Sequence, residues 1–283
     1  MKRALFALLL TGCIDTSIEA TTVSLSVAGT DAPAFEDRAG HPVTLTRADL
    51  AYGPLYLGPG NQAGELCEEA LAEHTDAVVV DALDPDPVSV GAMPAITGTA
   101  RSFMYDLGIA SLLGRDAPLV TEAARSLGDV STVVEGLVEV AGQTVPFEIA
   151  VPIAAGPMTE GGVPVVRSGT ADAFVLEILP DGASSLTVRF DPRAWLRSAD
   201  FGSLVEDEAC APGLPVACAG AVEQTCSGDG SVAATRDCAA LGEVCLAGVG
   251  CAERAILDAS TQPGRALVNG VSAGTRPAFE SRP

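Results

Sequence analysis

The chain has 283 residues, of which 37 are acidic and only 16 basic, for a formal net charge of −21. Such a surface repels nucleic acid and anionic headgroups, so neither is expected as a partner. With 48% hydrophobic and only 19% charged residues it is not a disordered polyanion and can bury a core.

The first thirteen residues carry an address. Lys2 and Arg3 are followed by the apolar run ALFALLL (4–10) and then by Leu10-Thr11-Gly12-Cys13. A basic start, an apolar stretch and small residues at a cleavage point are the parts of a secretion signal. The run is too short to span about 30 Å of hydrocarbon as a helix. Its ending resembles the bacterial lipobox, in which cleavage precedes the cysteine and Cys13 is lipidated. Loss of residues 1–12 takes the formal charge from −21 to −23. Ile14, not aspartate, follows the cysteine; an aspartate there retains enterobacterial lipoproteins at the inner membrane. The outer membrane is therefore the expected location, with the lipid anchor as the membrane contact.

Residues 13–20 read as the lipidated cysteine and a tether. Residues 22–28 (TVSLSVA) alternate as a half-buried strand does, and 43–57 (VTLTRADLAYGPLYL) read as a strand interrupted at Gly53-Pro54. Residues 63–74 (AGELCEEALAEH) have the three- and four-residue spacing of a helix ending at His74. Strands follow at 78–83 and 96–109, with Asp-Pro-Asp-Pro closing the first, and 117–127 read as a loop with a helical turn. Residues 133–151 read as a hairpin reversing at Ala141-Gly142-Gln143, and 173–179 with 185–190 as a second hairpin across Pro180-Asp181-Gly182. Asp191 and Pro192 are the cap and first position of a short helix. The expected fold is mainly β: an antiparallel β-sandwich over 21–205 with one or two short helices.

Six of the eight cysteines, Cys210, Cys218, Cys226, Cys238, Cys245 and Cys251, form a cluster without the C-x2-C pairs or nearby histidine of a zinc module. In an exported chain this reads as a disulfide framework over 206–252, with many possible connectivities. A segment that small lacks area for its own core, so bridges replace packing. Asp229-Gly230 marks a hairpin tip inside it. Residues 253–283, with a strand expected at 265–271, are read as returning to the sandwich. Cys67 is the odd thiol, read as a buried free cysteine, with pairing to a cluster cysteine that leaves another one free as the alternative.

Chemistry-bearing patterns are few. No phosphate loop or His-Glu-x-x-His occurs. His41 lies in an exposed Gly-His-Pro turn and His74 at the end of the predicted helix, where it caps carbonyls. The two imidazoles are candidate copper ligands, and Asp81, Asp84 and Asp86, which fall within six residues, are candidate calcium ligands. Trp195 is read as a core anchor.

LTRADLAYGPLYL (45–57), FDPRAWL (190–196) and the cysteine block resemble cysteine-rich lipoproteins of unknown function from myxobacteria. More distantly the chain is similar to the MbnP class of exported, copper-binding β-proteins. That class holds Cu(I) with two histidines and an oxidised tryptophan, and this chain has two histidines and one tryptophan; neither histidine has the class's Trp-x-His proximity to Trp195. The expected function is an envelope-anchored, non-enzymatic binding or structural module without a cofactor, its protein or glycan partner open. The alternatives are a metal-binding protein, or a hydrolase whose site is assembled from distant residues.

Overall fold

The computed structural model describes residues 18–60, 69–107, 120–127, 130–151, 165–169, 174–205, 209–274 and 277–282. The fold is mainly β, with 52% of the described residues in strands and 13% helical. One curled thirteen-stranded sheet forms the body. Its path runs Ala255–Leu257, Gln143–Val151, Thr132–Val140, Pro42–Gly58, Ala72–His74, Val88–Ile96, Ala20–Ala28, Ser185–Arg189 and Ala278–Arg282.

Alternation makes each strand two-faced. In Gln143–Val151 the side chains of Val145, Phe147, Ile149 and Val151 are buried and their neighbours are not. Because the sheet curls, its inward faces meet as the two layers of a sandwich. Phe103 stacks on Phe279 at 4.0 Å between ring centroids, Tyr52 meets Phe190 edge-on at 5.1 Å, and Phe147 lies against Phe201 at 4.7 Å. Each fully buried leucine, such as Leu25, Leu50 and Leu55, contributes about 1.5–3 kcal/mol by leaving water. Trp195, 2% exposed, packs against Phe190 and is a core anchor.

The 132–151 hairpin forms in the register its turn dictates: Ala141 (φ 50°) and Gly142 (φ 76°) both have positive φ, and Gln143 pairs with Val140. Pro42–Gly58 continues through Gly53-Pro54, with a register shift between Tyr52 and Leu55 against Ser102–Leu107. Two pairings are parallel, Ala20–Ala28 with Ser185–Arg189 and Gln143–Val151 with Ala255–Leu257. The sheet is therefore not wholly antiparallel.

Three expectations are corrected. Of the helix expected at 63–74, residues 63–68 lie outside those described, and Ala72–His74 is a strand paired with Leu55–Leu57. Ala72 and His74 face inward and Glu73 outward, a period-two pattern hidden inside the helical spacing. The strands flanking Pro180-Asp181-Gly182 do not pair with each other. Ser184 accepts from Leu179 N–H and donates to the Glu177 carbonyl, closing a wide turn; Leu176–Ile178 then pairs with Gly98–Ala100. The strand expected at 265–271 is instead the helix Gln262–Asn269. Thr261 Oγ1 caps Gly264 N–H, Pro263 sits in the first turn, and Ala266 and Leu267 form the buried face. The chain rejoins the sheet on both sides of that helix, at Ala255–Leu257 and Ala278–Arg282.

Between Val205 and the return strand, the bridges are Cys210–Cys226, Cys218–Cys245 and Cys238–Cys251. The last two cross-link the sheet Val216–Ala219, Val222–Cys226, Val232–Asp237 to the hairpin Val244–Leu246, Gly250–Ala252, and the first ties the segment at Cys210 to Val222–Cys226. The buried cluster here is Cys218, Cys238 and Cys245 themselves, so sulfur stands in for an apolar core. Leu246 reaches into the sandwich core, and Ala247 N–H donates to the Leu204 carbonyl at 3.0 Å. Cys13 and Cys67 lie outside the described residues; the cluster's six cysteines bond one another.

Candidate functional site

The connection between Ala34–Glu36 and Pro42–Gly58 is the sequence Asp37-Arg38-Ala39-Gly40-His41. Aspartate at its start and a left-handed Gly40 (φ 88°) favour a turn in which the carboxylate collects the following amides. Asp37 Oδ1 accepts from Ala39 N–H and His41 N–H, each at 2.8 Å. Its Oδ2 accepts from His41 Nδ1 at 2.9 Å and from Phe201 N–H at 2.9 Å. The carboxylate has no solvent exposure, whereas the His41 side chain is 26% exposed. Burial alone would raise the Asp37 pKa; the hydrogen bonds from Phe201, the imidazole and His41 N–H outweigh it and hold the carboxyl below its usual range. An ionised Oδ2 can only accept, so Nδ1 carries the proton and neutral His41 keeps its lone pair on Nε2.

The opposite wall is the loop after the helix Pro192–Trp195. Its Ala199 carbonyl accepts from Arg38 N–H, which joins it to the turn. Asp200 Oδ1 accepts from Gly202 N–H at 3.0 Å, and Asp200 N–H donates to Gln262 Oε1 at 2.7 Å. Gln262 Nε2 in turn donates to the Ser198 carbonyl, so the first residue of the C-terminal helix clamps both ends of the loop. Gly202 lies between the two walls. A Cβ on it would stand 3.1 Å from both Asp200 Oδ1 and His41 Cε1, and 3.7 Å from Nε2. One ligand-type atom each from Asp37, His41 and Asp200 lies within 4.8 Å of the others. Chemically this is an oriented imidazole beside a second carboxylate, with room left by the absent side chain.

The structure separates the other sequence candidates. His74 pairs with Leu55, while His41 immediately precedes Pro42 at the far end of the same partner strand. Roughly 40 Å of strand contour divides them, so they share no ion. His74 is 7% exposed and its Nε2 is buried with no hydrogen-bond partner; burial lowers its pKa, opposed weakly by Asp76. It does not cap a helix. Asp81 and Asp84 bind the amides of Leu83 and Asp86 respectively, and Asp86 is exposed. These three aspartates are not among the described groups whose ligand atoms converge. The Cu(I) set of two histidines and a tryptophan does not fit, because His41 and His74 are apart and Trp195 is committed to the core. A second convergence, Glu223 with Cys238 and Cys251, is already spent: both sulfurs are in one disulfide, and Glu223 Oε2 accepts from Cys251 N–H.

Asp37, Asp200 and Gln262 were not legible as site residues. An aspartate four residues before a histidine, with glycine between, is a local hint for Asp37. Nothing local marks Asp200, which reaches His41 only through the fold. Beside this loop a largely apolar cleft of about 530 Å³ opens between sandwich and disulfide module, lined by Leu204, Leu246, Val249 and Ile256, with Ser203 and Gln262 also in its wall.

No known protein family matches the sequence, and no curated protein does. Among solved structures, MbnP from Methylosinus trichosporium is similar with a TM-score of 0.34 and 11% identity over 66% of this chain and 80% of that one. At that level of likeness no residue of this chain inherits a role from it.

Proposed function

We propose that the protein is an exported, envelope-anchored lipoprotein acting as a non-enzymatic binding module. The observation that carries this reading is the disulfide module: three bridges take the place of a core, and that construction persists only in an oxidising compartment. Anchoring is argued from Cys13 and the segment before it. Two or three acyl chains, at about 0.8 kcal/mol per buried methylene, make attachment effectively permanent. The tether up to Ala20 reaches at most about 25 Å, so the sandwich would stay close to the membrane surface. No described helix is long and apolar enough to cross a bilayer.

Binding rather than turnover is argued from His41. Its ring bonds the Asp37 carboxylate and borders Gly202 and Asp200, groups that hold a ligand rather than a nucleophile that attacks one. The test is labelling of the full chain with radioactive palmitate in a Gram-negative host, followed by membrane fractionation. The wild type is expected to be labelled and membrane-bound, and Cys13→Ala to lose both properties. Label and retention that survive Cys13→Ala, or recovery with reduced cysteines from the cytoplasm, would overturn the reading.

A further inference from the structure

We infer that the crevice between the 37–41 turn and the 198–202 loop is a site for a divalent first-row transition ion, zinc foremost. His41 Nε2 and the Asp200 carboxylate are its protein ligands, and Asp37 is a positioning residue. This names the ligand of the binding module proposed above and rests on that reading.

The argument starts with how each acceptor is used. Asp37 spends both oxygens on four donors, so it has little left for an ion and instead fixes the imidazole. A carboxylate on Nδ1 sets the tautomer and the ring orientation and leaves Nε2 to the crevice, the usual arrangement behind a metal-bound histidine. Asp200 commits Oδ1 to one backbone amide and keeps lone pairs free. Both ligands border the volume that a side chain at position 202 would fill. The walls are held before any ion arrives, because Phe201 N–H ties the loop to Asp37 and Gln262 ties it to the helix.

Ligand chemistry selects the ion. Calcium and magnesium take all-oxygen sites, whereas imidazole with carboxylate suits zinc, copper(II), nickel and cobalt. Two carboxylates in the crevice balance a dication, and the chain's net charge of −21 concentrates cations around it. With two protein ligands, the remaining coordination positions stay open to water or an incoming donor.

The test is calorimetric titration of the full-length, tag-free protein in detergent with zinc chloride, with cobalt(II) absorption as a spectroscopic readout. The wild type is expected to take one equivalent of zinc and to bind calcium at least tenfold more weakly. His41→Ala and Asp200→Asn are expected to weaken zinc more than tenfold, while His74→Gln leaves it unaltered. Asp37→Asn should weaken it by about 10–100-fold. Gly202→Ala, which places a methyl between the ligands, should shift the cobalt spectrum and weaken binding even though it removes no donor. No zinc uptake by the wild type, retention within twofold in both His41→Ala and Asp200→Asn, or equal affinity for calcium would overturn the inference. Palmitate labelling reads out separately: anchored but zinc-free protein sinks the metal site alone, and zinc-binding protein without a lipid sinks the anchoring.

Discussion

Replacing Asp37 by asparagine keeps the side chain's shape and removes its charge, which isolates what the buried carboxylate does for the fold. The carboxylate accepts from Ala39, His41 and Phe201 amides and from the His41 ring. An amide oxygen can serve two of these donors; the NH₂ group then points at the other two. Two lost hydrogen bonds to a charged acceptor, at about 1.5–2 kcal/mol each, predict a loss of about 3–4 kcal/mol. In urea, with a slope of about 3 kcal/mol per molar, the midpoint should fall by about 1 M. The difference has a required pH dependence. The Asp37 pKa is lower folded than unfolded, so its contribution is complete above the unfolded value of about 3.9 and is lost as pH falls through the folded value. Wild type and variant should therefore converge in acid. A midpoint within about 0.2 M of wild type at neutral pH, or a gap that does not narrow in acid, would refute the assignment.

His74 should make stability fall as pH drops below about 6.5, because the unfolded chain takes up a proton that the buried imidazole refuses; His74→Phe should flatten urea midpoints between pH 7 and pH 5. The Tyr52 hydroxyl is buried without a hydrogen-bond partner, so Tyr52→Phe is expected to raise stability by up to about 1 kcal/mol, measured by denaturation. Removing both Cys218 and Cys245, which lie 27 residues apart, should cost about 3.5 kcal/mol from loop entropy. Reducing all three bridges should raise amide exchange across 209–252 well before it does in Gln143–Val151; simultaneous loss would show that the two parts are one cooperative unit.

Local chemistry made much of this fold legible. Ala141-Gly142 set one hairpin's register, Asp229-Gly230 sits at the tip between Val222–Cys226 and Val232–Asp237, and Asp191-Pro192 opens its helix with the aspartate accepting from Arg193 N–H. What failed was partner choice. Residues 180–182 do form a turn, but Leu176–Ile178 pairs with Gly98–Ala100 in a separate two-stranded sheet while Ser185–Arg189 joins the large one, and alternation says which face is buried without saying against what. The helix expected around His74 failed because a few inward residues fit a period of two as well as one of 3.6. The site was least legible because its key bond, Phe201 N–H to Asp37 Oδ2, spans 164 residues.

The strand Ala20–Ala28 lies inside the sheet, between Val88–Ile96 and Ser185–Arg189, and the latter is covered in turn by Ala278–Arg282. A chain delivered N-terminus first therefore exposes its first strand long before that strand's partners arrive. Pairing over such separations is slow, because loop entropy is spent before the contacts that repay it form. The sandwich cannot close until almost the whole polypeptide has emerged. The Gln262 clamp that seats Asp200 is made from residues still later than every cysteine of the bridged segment. The order of delivery thus makes the crevice at His41 among the last parts of the molecule to exist.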